Sequence, residues 1–235
     1  MNRSTSGYHI YEFGGVRYPS VTTILSRVPD PQEKESIASW RRNFSMPGFE
    51  NADEYVRYTA IRGTLVHYNV LNSVVRGITG KLTLDMSDLP PLSDYIDRVE
   101  TIKKEVAHCR KLWDDLGFDI RPPFSAESAW YHKSMLYAGT KDLKAKIEGV
   151  NTVLDLKTSA RIYDKHLIQA AAYVQMDRSW GAEIEQGMVI SLNPKKAKAM
   201  VRVIEGDELS SFIEEFNERY RMFWALPGVR KEYGV

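Results

Sequence analysis

Tyr137-Ala-Gly139-Thr-Lys141-Asp142-Leu-Lys144-Ala-Lys146-Ile147-Glu148-Gly149-Val150-Asn151-Thr152-Val153-Leu154-Asp155-Leu156-Lys157-Thr158-Ser159 is the stretch that decides the fold. Apolar and polar positions alternate on either side of Glu148-Gly149-Val150-Asn151, the period of two expected of paired strands. The reading is a hairpin with strands over 136–147 and 152–156. In Val153-Leu154-Asp155-Leu156-Lys157 that period puts Asp155 and Lys157 on one face, roughly 6.6 Å apart along the strand, with Leu154 and Leu156 on the other. A four-residue loop at 148–151 would pair Ile147 with Thr152, set Asp142 opposite Lys157 and leave Asp155 diagonal to it. Two carboxylates and an amine then converge. Carboxylates held close repel one another unless a cation lies between them, and oxygen ligation without cysteine suits Mg²⁺ or Mn²⁺ better than zinc. Such an ion acidifies a bound water and neutralises charge on a phosphodiester, while a lysine holds the water or a phosphate oxygen. These three residues alone are equally well read as an ordinary ion pair on a solvated strand.

Working outward, 124–132 also alternates and supplies a strand before the hairpin. A helix is expected at 165–180, then strands at 185–192 and 197–203 around Asn193-Pro194, then a helix at 207–224. Toward the N-terminus, 8–18 reads as a small hairpin about Gly14-Gly15. Ser20 caps a helix at 21–28 that Pro29 and Pro31 stop, and a second helix at 32–44 carries Ile37 and Trp40 on its inner face. Three- and four-residue steps predict long amphipathic helices at 53–75 and 92–116, the latter stopped by Gly117, with a loop at 78–91. The expected fold is α/β: one domain over 1–235, a mainly helical part at 1–117 extending over the site, and a sheet-containing core at 118–235 with a mixed central sheet flanked by helices.

The chain's 235 residues, 43% hydrophobic and 27% charged, suit one large or two small globular domains. No run of eighteen apolar residues and no secretory pattern appears, so neither a membrane span nor export is expected and the protein reads as intracellular (cytoplasmic). Cys109 stands alone, which excludes an internal disulfide and a multi-cysteine metal site. With a formal net charge of +1, any nucleic-acid surface has to be a local patch.

Tyr18-Pro-Ser-Val-Thr-Thr23, Arg62-Gly-Thr-Leu-Val-His67, Gly139-Thr-Lys-Asp142, Asp155-Leu-Lys157 and Gln169-Ala-Ala-Ala-Tyr173, taken in order, resemble the successive motifs of the PD-(D/E)XK nuclease superfamily, in its RecB-like exonuclease branch. Within that branch they look most like phage and viral exonucleases and the mitochondrial genome maintenance exonuclease. The resemblance runs from Tyr18 to Tyr173 and implies a restriction-endonuclease-like fold. It makes Asp142 and Asp155 metal ligands and Lys157 the lysine that positions the attacking water. His67 matches a helical histidine that reaches the metals in relatives, and Glu127 a glutamate on the first strand. Gln169 and Tyr173, four apart on one helix face, would support the lysine and touch substrate; Thr158 would donate to phosphate. The cofactor expected is one or two Mg²⁺ or Mn²⁺ ions. Iron–sulfur relatives need four cysteines, so no iron–sulfur cluster is expected.

Arg62, Lys141 and Lys144, with Arg41, Arg42, Lys146, Arg161 and Lys165, are the basic residues expected to meet DNA phosphates, whether single- or double-stranded. Lys195, Lys196 and Lys198 read as a solvated basic turn, and Tyr18, Trp40 and Trp130 as stacking surfaces or core. The activity expected is exonucleolytic hydrolysis of DNA in phage or viral recombination, replication or repair, with a homo-oligomer or a recombination partner protein conceivable. The alternatives are a structure-selective endonuclease or resolvase, an RNA nuclease, and a nuclease-fold DNA-binding protein without catalysis.

Overall fold

The computed structural model describes residues 10–79 and 97–235. Strands β1 (Ile10–Phe13) and β2 (Val16–Pro19) form an antiparallel hairpin across Gly14-Gly15. Ser20 then caps α1 (Val21–Arg27), its Oγ accepting the Thr23 N–H at 2.9 Å. Helix α2 (Pro31–Arg42) starts from an Asp30 cap with proline in its first turn. Helices α3 (Ala52–Thr79) and α4 (Val99–Asp114) follow. The rest of the chain is β3 (Ile120–Tyr131), β4 (Ala138–Ile147), β5 (Val150–Lys157), α5 (Asp164–Arg178), β6 (Gln186–Ser191), β7 (Met200–Ile204), α6 (Gly206–Ala225) and α7 (Val229–Tyr233).

Strands β3 to β7 lie side by side in chain order. Every pairing is antiparallel except β5 with β6, the pair that α5 connects. A parallel pair needs such a crossover, and here it is α5 that brings Gln169 back over the end of β5. The fold is therefore α/β, a five-stranded mixed sheet with helices on both faces. One face is covered by α1, α5, α6 and α7, through Ile24, Ile168, Val174, Phe216 and Val229 against Val153 and Val189. The other is covered by α3 and α4, through Val66, Val70, Leu71, Cys109 and Leu112 against Leu143, Leu154, Leu156 and Ile190. The N-terminal helices do not stand apart from the sheet: α1 shares a core with α5 and α6, and α3 with α4 makes the opposite layer. Among the described residues no helix is long and apolar enough to cross a membrane.

Several elements differ from expectation, among them β3, which starts at Ile120 rather than 124. The β4–β5 turn has two residues, not four: Ile147 pairs with Val150, and Glu148 and Gly149 sit at φ 50° and 84°. Two left-handed central residues match the strand twist, and Glu148 is held there by Asp119, whose N–H donates to its carboxylate at 2.7 Å. Continued outward, this register sets Asp142 level with Asp155 rather than with Lys157. In α2, Ile37 and Trp40 are exposed and no residue is buried; ion pairs from Glu33 to Lys165 and from Arg41 to Asp53, and ring contacts of Trp40 with Phe44 and Tyr55, hold the helix. Helix α3 runs on to Thr79, past the expected end at 75, and its apolar stripe continues to Ile78, which packs against the α3–α4 core. Beyond 79, the loop expected at 78–91 lies outside the described residues, as does the start of the helix expected from 92. The short α7 had no periodic signature, being only five residues long.

Candidate metal centre

Strand β4 changes sides at Asp142. Before it, Gly139 abuts the ring of Tyr173 on α5 and Lys141 reaches Asp177 on the same helix. After it, Leu143, Ala145 and Ile147 pack in the α3–α4 core while Lys144 turns toward Asp177. Strict alternation would have put Gly139, Lys141 and Leu143 on one side, so the strand rotates between Lys141 and Leu143. Strand β3 breaks at the matching place: Glu127, between the pairs Ala126–Leu143 and Ser128–Lys141, takes a left-handed φ of 45°. The pairing keeps one register across this point, so no residue is inserted, and the left-handed backbone itself turns the Glu127 side chain. Asp142 lies just beyond the paired register of β4 with β5, and its Oδ2 accepts the Leu156 N–H at 2.6 Å.

Helix α3 brings His67 over this point. Its Nδ1 lies 3.4 Å from Asp142 Oδ1. Gly63, one turn earlier, lies beside the end of β5, where a Cβ at that position would stand in ordinary contact, 3.5 Å from Thr158 Oγ1. His67, Glu127 and Asp142 each offer a ligand atom, and these atoms lie within 4.8 Å of one another, so the group can hold a metal ion. Two carboxylates and an imidazole are a donor set that hard or borderline divalent cations accept.

Asp155 stands beside this group but outside it. As the period of two predicts, it shares a face with Lys157, away from Leu154 and Leu156. Its Oδ2 is 2.5 Å from Lys157 Nζ and its Oδ1 accepts the Gln169 amide at 3.1 Å. Gln169 links the rest: its Oε1 accepts from Lys157 Nζ at 3.2 Å and its Nε2 donates to the Tyr173 hydroxyl at 3.1 Å. Gly139 has to lack a side chain here, because a Cβ would collide with the Tyr173 ring. Gln169 and Tyr173 thus fix the lysine and the second aspartate.

The two aspartates titrate apart. Burial pushes the Asp155 carboxyl up; Lys157 opposes this and Asp142 reinforces it, leaving it at about 6. Burial acts on Asp142 too, but the facing His67, Lys157 and the Leu156 N–H outweigh it and hold that carboxyl below its usual range. His67 is raised: burial would lower it, and Asp142 more than compensates. Environments that drive like groups apart are a mark of sites that do proton chemistry, though ion-pair networks do the same.

Several basic residues expected at DNA are engaged elsewhere. Arg62 is buried and paired with Glu105 of α4 at 3.2 Å, under the Tyr58 ring. Lys141 is buried against Asp177. Neither is available to a phosphate, because each has a carboxylate partner far away in sequence. Lys144, 3.6 Å from Asp177, keeps part of its side chain at the surface. Arg41 and Arg42 pair with Asp53 and Glu35 at the surface, and Lys165 pairs with Glu33. The Thr158 carbonyl accepts from Asn193 at 3.2 Å.

A cleft of about 560 Å³ opens beside Lys157 and Gln169, lined by Thr22, Leu25 and Ser26 of α1, by Ile37 of α2 and by His166 of α5. The N-terminal helices therefore do flank the site. His166 and Ser26 carried no sequence signal of a functional place; the nearest was the Tyr18–Thr23 motif, which ends at Thr23.

No family model matches the chain, and no curated protein matches it. Among solved structures, the crystal structure of SSO0001 is similar at 14% identity and a TM-score of 0.29, over 67% of this chain and 74% of that one. A superposition that loose carries no argument about what the chain does.

Proposed function

We propose that the protein is a divalent-metal-dependent deoxyribonuclease on a restriction-endonuclease-like core, acting as an exonuclease. The observation that carries this reading is the convergence of Glu127, His67 and Asp142 beside a buried Asp155–Lys157 pair, at the place where β4 turns over. Glu127, His67 and Asp142 would hold the ion, with Asp155 the next carboxylate in reach; Mg²⁺ or Mn²⁺ suits a mainly oxygen donor set. When bound, the cation supplies charge neutralisation on the phosphodiester and a more acidic water.

The protein's own side chains do the rest. Lys157 Nζ, fixed by Asp155 and Gln169, donates toward the attacking water or a nonbridging phosphate oxygen and stabilises the charge that develops. Asp155, the carboxylate beside Lys157 and the metal group, would receive a proton from that water. Gln169 keeps both aligned through two hydrogen bonds and is itself anchored on Tyr173. The exonuclease choice and a role in phage or viral recombination, replication or repair rest on the ordered motifs of the sequence.

End-labelled linear and circular DNA, single- and double-stranded, incubated with Mg²⁺, Mn²⁺ or EDTA, tests the reading. Loss of linear DNA alone, dependent on metal, is expected. Lys157→Ala should slow it by about 10²- to 10⁴-fold with the circular dichroism spectrum unchanged. Nicked circles would make the protein an endonuclease, and binding without cleavage under either metal would make it a DNA-binding protein.

A further inference from the structure

We infer that the turn between β6 and β7, through Lys195, Lys196 and Lys198, is the surface that grips the phosphate backbone of DNA beside the metal centre. The inference rests on the nuclease reading and adds the contact surface, which a molecule of nearly balanced charge has to supply locally.

Unpaired charge singles out this turn. Arg41, Arg42, Arg62, Lys141 and Lys165 are each paired with a carboxylate. Lys195, Lys196 and Lys198 are exposed, and among the described residues no carboxylate lies within ion-pair reach of them. The Lys195 ammonium stands instead 4.0 Å from the thioether sulfur of Met46. Three like charges within four residues repel one another, and a polyanion relieves that repulsion.

The turn is nevertheless fixed to the body of the protein. Asn193 is buried; its Oδ1 accepts the Lys195 N–H at 2.9 Å and its Nδ2 donates to the Thr158 carbonyl at 3.2 Å. The Lys196 carbonyl meets Nε2 of His108, on α4, at 2.8 Å. Leu192 before the turn and Ala199 after it pack in the α3–α4 core. A backbone anchored at both ends and in the middle presents its charges with little left to order on binding.

The anchors also lead to the metal group. Ser191 is the sheet partner of Lys157, and the Leu192 N–H donates to the Lys157 carbonyl at 2.7 Å. Thr158, which holds Asn193, lies against Gly63 of α3, one turn before His67. The turn and His67 are thus carried on the same, α3–α4 side of the sheet. Four residues separate Ser191 from Lys195, at most about 14 Å of chain. A DNA strand, with a charge about every 3.4 Å of duplex axis, spans such an interval in a few nucleotides. Lysines act on phosphate as point charges and read no base, so the grip is blind to sequence.

Fluorescence anisotropy of labelled DNA over a series of KCl concentrations, in EDTA so that nothing is cut, tests this. The slope of log affinity against log salt counts the phosphates neutralised. Replacing all three lysines by alanine should lower its magnitude by about 2 to 3, equally on oligonucleotides of unrelated sequence. Replacing all three by arginine, which keeps the charge, should preserve the wild-type slope. Lys231→Ala, on α7 at the opposite face of the sheet, should leave it unchanged. A wild-type slope in the triple alanine variant would overturn the inference, as would an arginine variant no better than the alanine one. So would an equal loss per charge from Lys231→Ala, since only net charge would then be acting. Each of these results leaves metal-dependent cleavage by the wild type, and with it the nuclease reading, standing. Wild type that binds through the turn yet cuts no DNA would do the reverse, supporting the surface and removing the nuclease.

Discussion

Asp142 and its neighbour Lys141 sit side by side in sequence and do opposite things. Lys141 points to α5 and is buried against Asp177, each side chain 4% exposed, whereas Asp142 turns into the gap toward β5 and His67. Removing one member of a buried pair leaves the other uncompensated and costs about 3–5 kcal/mol. Asp177→Leu should therefore be strongly destabilising in urea denaturation. Lys141→Met should fall at the lower end, because Lys144 remains 3.6 Å from Asp177. The double variant should recover most of the loss, and the salt dependence of DNA binding should not change with Lys141→Met, since Lys141 meets no phosphate. Asp155 and Lys157 were legible because one short strand with a period of two fixes their common face. Arg62 and Lys141 were misread as DNA contacts because their partners, Glu105 and Asp177, are 43 and 36 residues away. Nothing local distinguishes a buried basic residue from an exposed one.

At the scale of elements, sequence signals were strongest where the chemistry is local. Ser20 is one case: its hydroxyl caps α1 and is itself buried, at 2% exposure. Ser20→Ala should cost about 1 kcal/mol, seen as a lower midpoint in thermal denaturation, with cleavage retained. The β4–β5 turn is the opposite case. Glu148 in a left-handed conformation is a poor local choice that Asp119, 29 residues earlier, makes tenable. A reader of the local sequence expects the longer loop and with it a register that sets Asp142 against the wrong partner. Helix α2 failed for another reason. Its periodicity promised an inner face, yet periodicity says only that a helix has two sides and not that anything packs on either.

The molecule as a whole holds two groups whose folding-linked titrations run in opposite directions, His166 in the wall of the cleft and the buried Asp155 paired with Lys157. Burial, with Lys157 and Lys165 nearby, pushes the His166 imidazole down to about 3, and its Nδ1 accepts the Tyr163 N–H at 3.3 Å. The unfolded chain takes up a proton near the ordinary histidine value of 6.5 that the folded chain refuses until about 3. Stability from this group is therefore full above 6.5 and lost as the pH falls through that window, by up to about 1.4 kcal/mol per pH unit. Asp155 works the other way between the ordinary aspartate value of 3.8 and about 6, because there the folded state binds the extra proton. The stability difference between wild type and His166→Gln, measured by denaturation from pH 7 to pH 4, isolates the histidine: it should shift against wild type as the pH falls, and a flat difference would contradict the assignment. The layered architecture was legible from the order of strands and helices alone. The meeting of Glu127, His67 and Asp142 depends on rotations in two strands that no periodicity announces, and was anticipated only through the order of the motifs.

The central claim is that these three side chains hold a divalent cation. Titration of Mn²⁺ into the protein, followed by electron paramagnetic resonance of the free ion, measures that without any substrate. Wild type should remove Mn²⁺ from solution in a saturable step that Asp142→Asn abolishes and His67→Ala weakens. Equal uptake by wild type and Asp142→Asn, or no uptake by the folded wild type, would contradict the account.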